Sequence, residues 1–344
     1  MPTNHQPGAT ADRSAVLEAL FTAQWAAIYD PITRERWDAG ALLDPQLCDA
    51  LCQPSQPRPA ALQRCLEEAG IVAHHGYHPA DVQPWVAANW SDALRHYLHS
   101  NALPKLSYAK ASGWLQDFAT MRQKIQESAP PEATKSYPHA LARVATTRTP
   151  SAMPFKEVLE AHPRHGSRRP MDYPELANLL SRVFGVAGHK RLAVTGSHIL
   201  RTSPSGGSRH PTEAYVVAFD LPGLAPGIYH FQSDRHELEL LRTGEFKALY
   251  MEQIFGLNRR IAFTPKLALV LTSVVERSMH RYRDARSYRV LHFDLGHLLL
   301  TCQLVARSQG LPFFSSYSLG EEAVEALLGI DGLRETAMSQ MLFG

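Results

Sequence analysis

Cysteine is scarce in this chain: Cys48, Cys52, Cys65 and Cys302 are its only four among 344 residues. They are too few and too clustered for a disulfide scaffold, and they fit a reducing cytoplasm. No stretch approaches the ~18 consecutive apolar residues of a membrane-spanning helix. The polar start, Met1 to Arg13, lacks the basic segment and apolar stretch of a secretory signal. Charge of one sign is also missing. Lys and Arg number 35 against 33 Asp and Glu, a net +2, which argues against an overall commitment to nucleic acid or membrane. No Gly-x-Gly-x-x-Gly follows a strand pattern, so a Rossmann nicotinamide site is not expected. The expectation is a soluble, cytoplasmic protein with neither nucleic acid nor membrane as partner.

What is present is an ordinary folded composition, 44% hydrophobic and 20% charged. The length suggests two domains, 1–150 and 151–344. The first reads as mainly helical, starting with a helix over Ser14–Tyr29. Pro59–Gly70 followed by Ile71-Val72-Ala73 has the helix, glycine and short strand of a winged-helix unit. Ser128–Pro154, rich in Pro, Ser, Thr and Ala, reads as a linker. Strands are predicted after it at Glu213–Leu221, Gly227–Gln232, Glu237–Arg242 and Leu267–Val275, the middle two pairing across Ser233–His236. Helices are predicted at Asp172–Phe184, Ser287–Gln309 and Glu321–Leu328. The longest has Tyr288, Leu291, Leu295, Leu298, Cys302 and Val305 as its apolar stripe and stops at Gly310. The fold class is therefore α+β, an antiparallel-rich sheet wrapped by helices.

The most informative stretch is Arg201-Thr-Ser-Pro-Ser-Gly-Gly-Ser-Arg-His-Pro-Thr-Glu213, which runs directly into a strand. Adjacent glycines leave the backbone unshielded, so its N–H groups can approach a flat or anionic ligand. Arg201 and Arg209 could add charge-assisted bonds; a plain surface turn is the alternative. Cys48, Cys52, Cys65, His74 and His75 lack the spacing of a zinc knuckle, and no metal site is expected. Asp294 and His297, one helical turn apart, read as structural residues fixing the long helix against the sheet. The basic run Arg281, Arg283, Arg286 and Arg289 does not face one way.

Pro204-Ser-Gly-Gly-Ser-Arg-His-Pro211 followed by Glu213-Ala-Tyr-Val-Val resembles the flavin loop of the azoline-dehydrogenase branch of the nitroreductase family. Arg164-His-Gly-Ser-Arg-Arg169, Gly227-Ile-Tyr-His-Phe231, Tyr282-Arg-Asp-Ala-Arg-Ser-Tyr-Arg289 and Asp294-Leu-Gly-His297 resemble the family's other motifs in the same order. The resemblance covers about residues 154–344. It implies a nitroreductase-like fold and an FMN cofactor. The FMN set would be Arg164, Ser167, Arg169, Arg201, Ser205, Gly206, Gly207, Ser208 and Arg209, with Ser315 and Ser316 beside the ring. Members of the branch oxidise heterocycles in ribosomally made peptides. A peptide substrate, a homodimer and a cyclodehydratase or other maturation partner are therefore implied, with residues 1–150 helping to bind peptide or partner. Because the chain ends without the terminal Lys/Arg clamp of many nitroreductases, the phosphate is expected on Arg164–Arg169 and Arg201.

Relatives assign the base to a Lys-Tyr pair, where this chain has Arg281-Tyr282. A guanidinium keeps its proton, so Arg281 can only support; Tyr282 is the candidate acid/base. Two other readings stay open. One is an NAD(P)H-dependent flavin reductase of dehydroamino acids, quinones or nitro compounds, with the nicotinamide over the flavin. The other is a non-catalytic scaffold subunit of a peptide-modifying complex.

Overall fold

The computed structural model describes residues 27–29, 36–38, scattered positions between 84 and 100, 109–150, 153–160, 171–256, 261–282 and 284–344. The chain divides into two compact units, residues 1–105 and 106–344. In the first, β1 (Ala27–Tyr29) pairs antiparallel with β2 (Arg36–Asp38), Ala27 facing Asp38. The last three residues of the helix expected over Ser14–Tyr29 are strand instead, with Ile28 paired to Trp37, and the rest of that segment lies outside the described residues. The winged-helix segment lies outside the described residues, as do the cysteines and histidines weighed for zinc.

The second unit is built on a seven-stranded antiparallel sheet. Its strands are β3 (Ala142–Ala145), β6 (Thr212–Ala218), β7 (Gly227–Gln232), β8 (Glu237–Thr243), β9 (Leu267–Val274), β10 (Phe313–Ser316) and β11 (Glu335–Phe343), in the order β10-β11-β9-β6-β7-β8-β3. A separate hairpin joins β4 (Gly188–Leu192) to β5 (Gly196–Leu200). The four predicted strands and the β7–β8 hairpin are all present. The linker expected at Ser128–Pro154 is not a free tether, since it supplies β3, which takes the sheet edge beside β8.

Among its described residues, the second unit has α-helices of five residues or more at α1 (Ala111–Glu127), α2 (Phe155–Glu160), α3 (Tyr173–Val183), α4 (Val275–Met279), α5 (Tyr288–Ser308) and α6 (Glu321–Leu328). Asp172 and Glu175 form a reciprocal capping box at the start of α3. Gly310, at φ +68°, adopts the left-handed conformation just beyond α5.

Along β6, strand alternation sends Ala214, Val216 and Ala218 to one face and Tyr215 and Val217 to the other, and all are buried. α3 and α5 cover the first face with Leu176, Leu179, Leu180, Leu295, Leu298 and Cys302. α6 and the Tyr250–Ile254 turn cover the second. Tyr288, assigned above to the buried stripe of α5, is instead 51% exposed, because the helix has only begun to approach the sheet at its first residue.

The second face also buries charge. His230 sits between two carboxylates, 2.9 Å from Glu213 and 3.1 Å from Glu239, with Arg277 2.5 Å from Glu213. Burial opposes the imidazolium, but the bonds to Glu213 and Glu239 overcome it and raise the His230 pKa. Burial likewise opposes ionisation of Glu213, and Arg277 with His230 overcomes it, holding its pKa low; Glu239 is lowered in the same sense. Stability from the histidine is complete below its ordinary pKa of 6.5 and is lost as pH rises through the raised value. Stability from the carboxylates is complete above their ordinary 4.5 and is lost as pH falls. Thermal melts should therefore peak between those values and fall on both sides. His230→Phe should lower stability by roughly 1–3 kcal/mol, because it removes the cation between two buried carboxylates and leaves Glu213 to Arg277 and Glu239 to Arg235. An unchanged pH profile in that variant would contradict this account.

Candidate active site

The glycine-containing loop before β6 is held by α5. The carboxylate of Asp294 accepts a hydrogen bond from Ser205 Oγ at 2.5 Å and another from Gly206 N at 3.0 Å. Ser205 Oγ in turn accepts from His210 N at 2.8 Å, and the imidazole of His297 lies 3.2 Å from Pro204 O. Burial raises the pKa of Asp294, and the bonds from Ser205 and Gly206 work against that rise. Asp294 and His297 thus anchor the loop to the helix, rather than the helix to the sheet as expected.

The loop carries three residues at positive φ within four positions. Gly207 is at φ +59°, and Ser208 and His210 adopt positive φ although neither is glycine. A side chain on Gly206 would run into Val290, and one on Gly207 would run into the hydroxyl of Tyr282. The bare backbone therefore first makes room for Tyr282 and Val290, which bracket the pair.

Tyr282 ends a turn whose Ser278 carbonyl accepts its N–H at 2.9 Å and that of Arg281 at 3.2 Å. The Arg281 guanidinium lies 4.8 Å from the Tyr282 ring centroid and pairs with Asp117 of α1 at 2.8 Å. Lys124, about two turns further along the same face of α1, donates to the Arg281 carbonyl at 3.4 Å. Arg209 approaches from the loop side. Burial lowers its pKa, while Tyr282 raises it and Arg281 lowers it, which places all three groups in one electrostatic neighbourhood. The buried Nε of Arg209 has no hydrogen-bond partner among the described residues. Tyr282 also lines a cavity of about 630 Å³, walled by Pro131, Val275, Met279, Tyr288 and Leu291.

The expected site residues divide. Ser205, Gly206, Gly207, Ser208, Arg209, Arg281 and Tyr282 come together. Arg201 turns inward: it is buried, its Nη1 and Nη2 donate to Thr212 O and Ser233 Oγ, and burial brings its pKa down to about 10. Its charge therefore braces the start of β6 instead of facing a ligand. Ser315 and Ser316 lie on the edge strand β10. Ser315 accepts from Gln303 of α5, about 13 Å along that helix from Asp294 by helical rise, and Ser316 closes a turn with Ser318. The structure does not bring them to the loop within one chain. Arg164, Ser167 and Arg169 lie outside the described residues.

Asp117, Val290 and the anchoring role of Asp294 were missed in the sequence. Asp117 did leave a signal: it shares the buried face of α1 with Gly113 and Met121, an acid at an apolar position.

Residues 164–344 match the nitroreductase family. The chain belongs to that family. Nitroreductases typically bind flavin, and the antiparallel sheet wrapped by helices is their oxidoreductase fold. Trifolitoxin-processing protein TfxB of Rhizobium leguminosarum bv. trifolii is 27% identical over 346 residues, 91% of this chain and 91% of that protein. Trifolitoxin operon protein TfxC of the same organism is 25% identical over 276 residues, 73% of this chain and 72% of its own. A chain of the Escherichia coli microcin synthetase McbBCD complex with truncated pro-MccB17 bound is 19% identical, with a TM-score of 0.44 over 70% of this chain and 97% of that one. Among the described residues, no group of three or more His, Cys, Asp or Glu is placed to hold a metal ion, and no helix is long and apolar enough to cross a membrane.

The contact between loop and phenol is directly testable. Gly207→Ala should cost about 1–3 kcal/mol in chemical denaturation, from strain at positive φ plus the collision with Tyr282. In a Tyr282→Phe background the penalty should shrink, because the obstructing oxygen is gone. Equal penalties in both backgrounds would show that the hydroxyl does not abut this glycine.

Proposed function

We propose that this chain is an FMN-dependent oxidoreductase that matures a ribosomally synthesised peptide by dehydrogenating an azoline ring to an azole. The observation that carries the reading is the position of Tyr282. Its hydroxyl abuts the loop at Gly207, and the same residue lines the cavity. One tyrosine thus touches both the loop that resembles a flavin loop and a chamber of ligand size.

The residues present fit an anionic, flat cofactor. Arg209 has a buried Nε without an acceptor among the described residues, and it lies beside the loop on which Gly206 and Gly207 admit Val290 and Tyr282 to close approach. Arg164, Ser167, Arg169, Arg201 and Ser208 complete the proposed FMN set, with Arg201 acting through the backbone it braces. Ser315 and Ser316 are proposed to face the ring of a partner protomer's cofactor. When bound, FMN supplies a two-electron acceptor for the hydride leaving one ring carbon. Tyr282 takes the proton from the neighbouring carbon at Oη. Arg281 stacks on the Tyr282 ring and, tied to Asp117, fixes its orientation. Azoline therefore loses one hydride and one proton and becomes azole.

Similarity to a trifolitoxin-processing protein over 91% of both chains supports a role in maturation. A homodimer is part of the proposal: Phe293 and Leu300, on one face of α5, are 63% and 55% exposed, and a second α5 would cover them. Residues 1–150 are proposed to bind the peptide or a cyclodehydratase partner, in the cytoplasm.

The test uses purified full-length chain reconstituted with FMN under anaerobic conditions. A thiazoline-containing peptide should bleach the flavin, and NAD(P)H should do so much more slowly. Tyr282→Phe should retain FMN but lose about 10²–10⁴-fold in the rate of bleaching, whereas Arg169→Ala should lose FMN itself. Rapid bleaching by NAD(P)H alone would favour the reductase reading, and failure to bind FMN would leave only a scaffold.

A further inference from the structure

A small recess beside the turn that carries Tyr282 gathers positive charge. It is lined by Lys124 of α1, Thr195 between β4 and β5, Arg209 of the glycine-containing loop, His280 and Arg281, and the rest of its lining is apolar. Four segments distant in sequence thus bring three cations to one place. The Thr195 hydroxyl lies 2.6 Å from His198 Nε2, and the His280 imidazole 3.1 Å from Ser128 O. Arg281 is paired with Asp117. Arg209 differs. The charged neighbours that act on it are Tyr282 and Arg281, and neither is a carboxylate. Of its three guanidinium nitrogens only Nε is both buried and unpartnered, so the two terminal nitrogens are the ones a solute meets. Lys124, Thr195, Arg209 and Arg281 are all partly exposed, which keeps the recess within reach of solvent.

Two guanidinium groups and an ammonium around one space repel each other, and an anion between them relieves that repulsion. The chain as a whole is close to neutral, so the local excess of positive charge does not follow from composition. Size narrows the anion. The recess holds about 20 Å³, little more than one water-sized sphere needs. It admits the oxygen end of a small group, and a carboxylate presents two coplanar oxygens that match a guanidinium fork. A phosphate monoester, with three outer oxygens, exceeds that space. His280 lines both this recess and the larger cavity, and the next two residues divide between them, Arg281 on the recess and Tyr282 on the cavity.

We propose that this recess binds a carboxylate, held by Arg209, Lys124 and Arg281. Adjacent residues lie about 3.8 Å apart, so a ligand that occupies both spaces carries its acid within a residue or two of the group beside Tyr282. That acid is an Asp or Glu side chain close to the reacting ring, or the free C-terminus of a peptide that ends there. Assigning it to the peptide substrate rests on the function proposed above. The ligand class itself rests on the recess alone.

Binding can be measured apart from turnover, by saturation-transfer NMR titration of the FMN-loaded full-length chain. The probes are N-acetylglutamate α-amide, N-acetylglycine and N-acetylglutamine amide, with inorganic phosphate as a competitor. The two acids should bind saturably, about tenfold more tightly than the glutamine amide, and less tightly as salt is raised. Lys124→Gln should weaken the acids about two- to fivefold. Lys124→Glu should abolish the preference for acid over amide, with thermal melts and flavin content checking that both variants fold and keep FMN. Tighter binding of the glutamate amide assigns the carboxylate to a side chain, and tighter binding of N-acetylglycine assigns it to a C-terminus; either supports the proposal. Equal binding of acids and amide, acid binding untouched by Lys124→Glu, or tighter binding of phosphate than of both acids would each overturn it. So would loss of FMN from a folded Lys124→Glu chain, which would give the recess to the cofactor. In parallel, thiazoline peptides carrying the favoured acid close to the ring, or its amide, are compared by flavin bleaching. A preference for the acid of about fivefold or more in kcat/KM, lost in Lys124→Glu, supports the substrate assignment. If the acids bind as stated but neither peptide is oxidised, the azoline function and the substrate assignment fall while the ligand class of the recess stands.

Discussion

One buried carboxylate couples the core of this protein to its candidate site. Asp294 lies on the same helix as Leu291, Leu295, Leu298 and Cys302, which pack on the sheet, and its two oxygens grip Ser205 and Gly206. A carboxylate at 3% exposure would be unfavourable without such donors. With them, it makes the loop's conformation a consequence of helix packing. The positive φ angles at Gly207, Ser208 and His210 persist because the ends of that segment are tied down on both sides.

The loop would have no chemical meaning without Tyr282 across from it. Its phenol is positioned by backbone bonds to Ser278, by the stacked guanidinium of Arg281 and by contact with a residue that has no side chain. Asp117 of α1 is the acid paired with Arg281, so a helix far upstream in sequence completes the electrostatic setting. Arg281 keeps a permanent cation beside the phenol, so in the proposed reaction the proton falls to Tyr282 alone.

The opposite face of the sheet is organised by charge as well as by packing. Glu213 lies in β6 directly after the loop, and Arg277, which pairs with it, also donates to the carbonyl of His210 within the loop. The same guanidinium bonds Glu132 O, fixing the segment that leads to Pro131 on the cavity wall. The buried Glu213–His230–Glu239 row is thus continuous with the site's support, and its strength comes from full desolvation matched by paired charge.

Much of this was legible in the chain itself. Period-two runs gave β6 to β9, period-3.6 stripes with caps gave α3, α5 and α6, and four ordered motifs gave the family. These follow from local backbone preference and from side-chain alternation, which need no distant partner. β3 was not legible, because Ala142–Ala145 has no strong strand pattern and becomes a strand only by pairing with β8. The direction of Arg201, the Asp294 anchor and the Arg281–Asp117 pair were decided by tertiary structure alone. Each depends on which groups meet once water is excluded, and residues more than a hundred positions apart are brought together only by the packed sheet and helices.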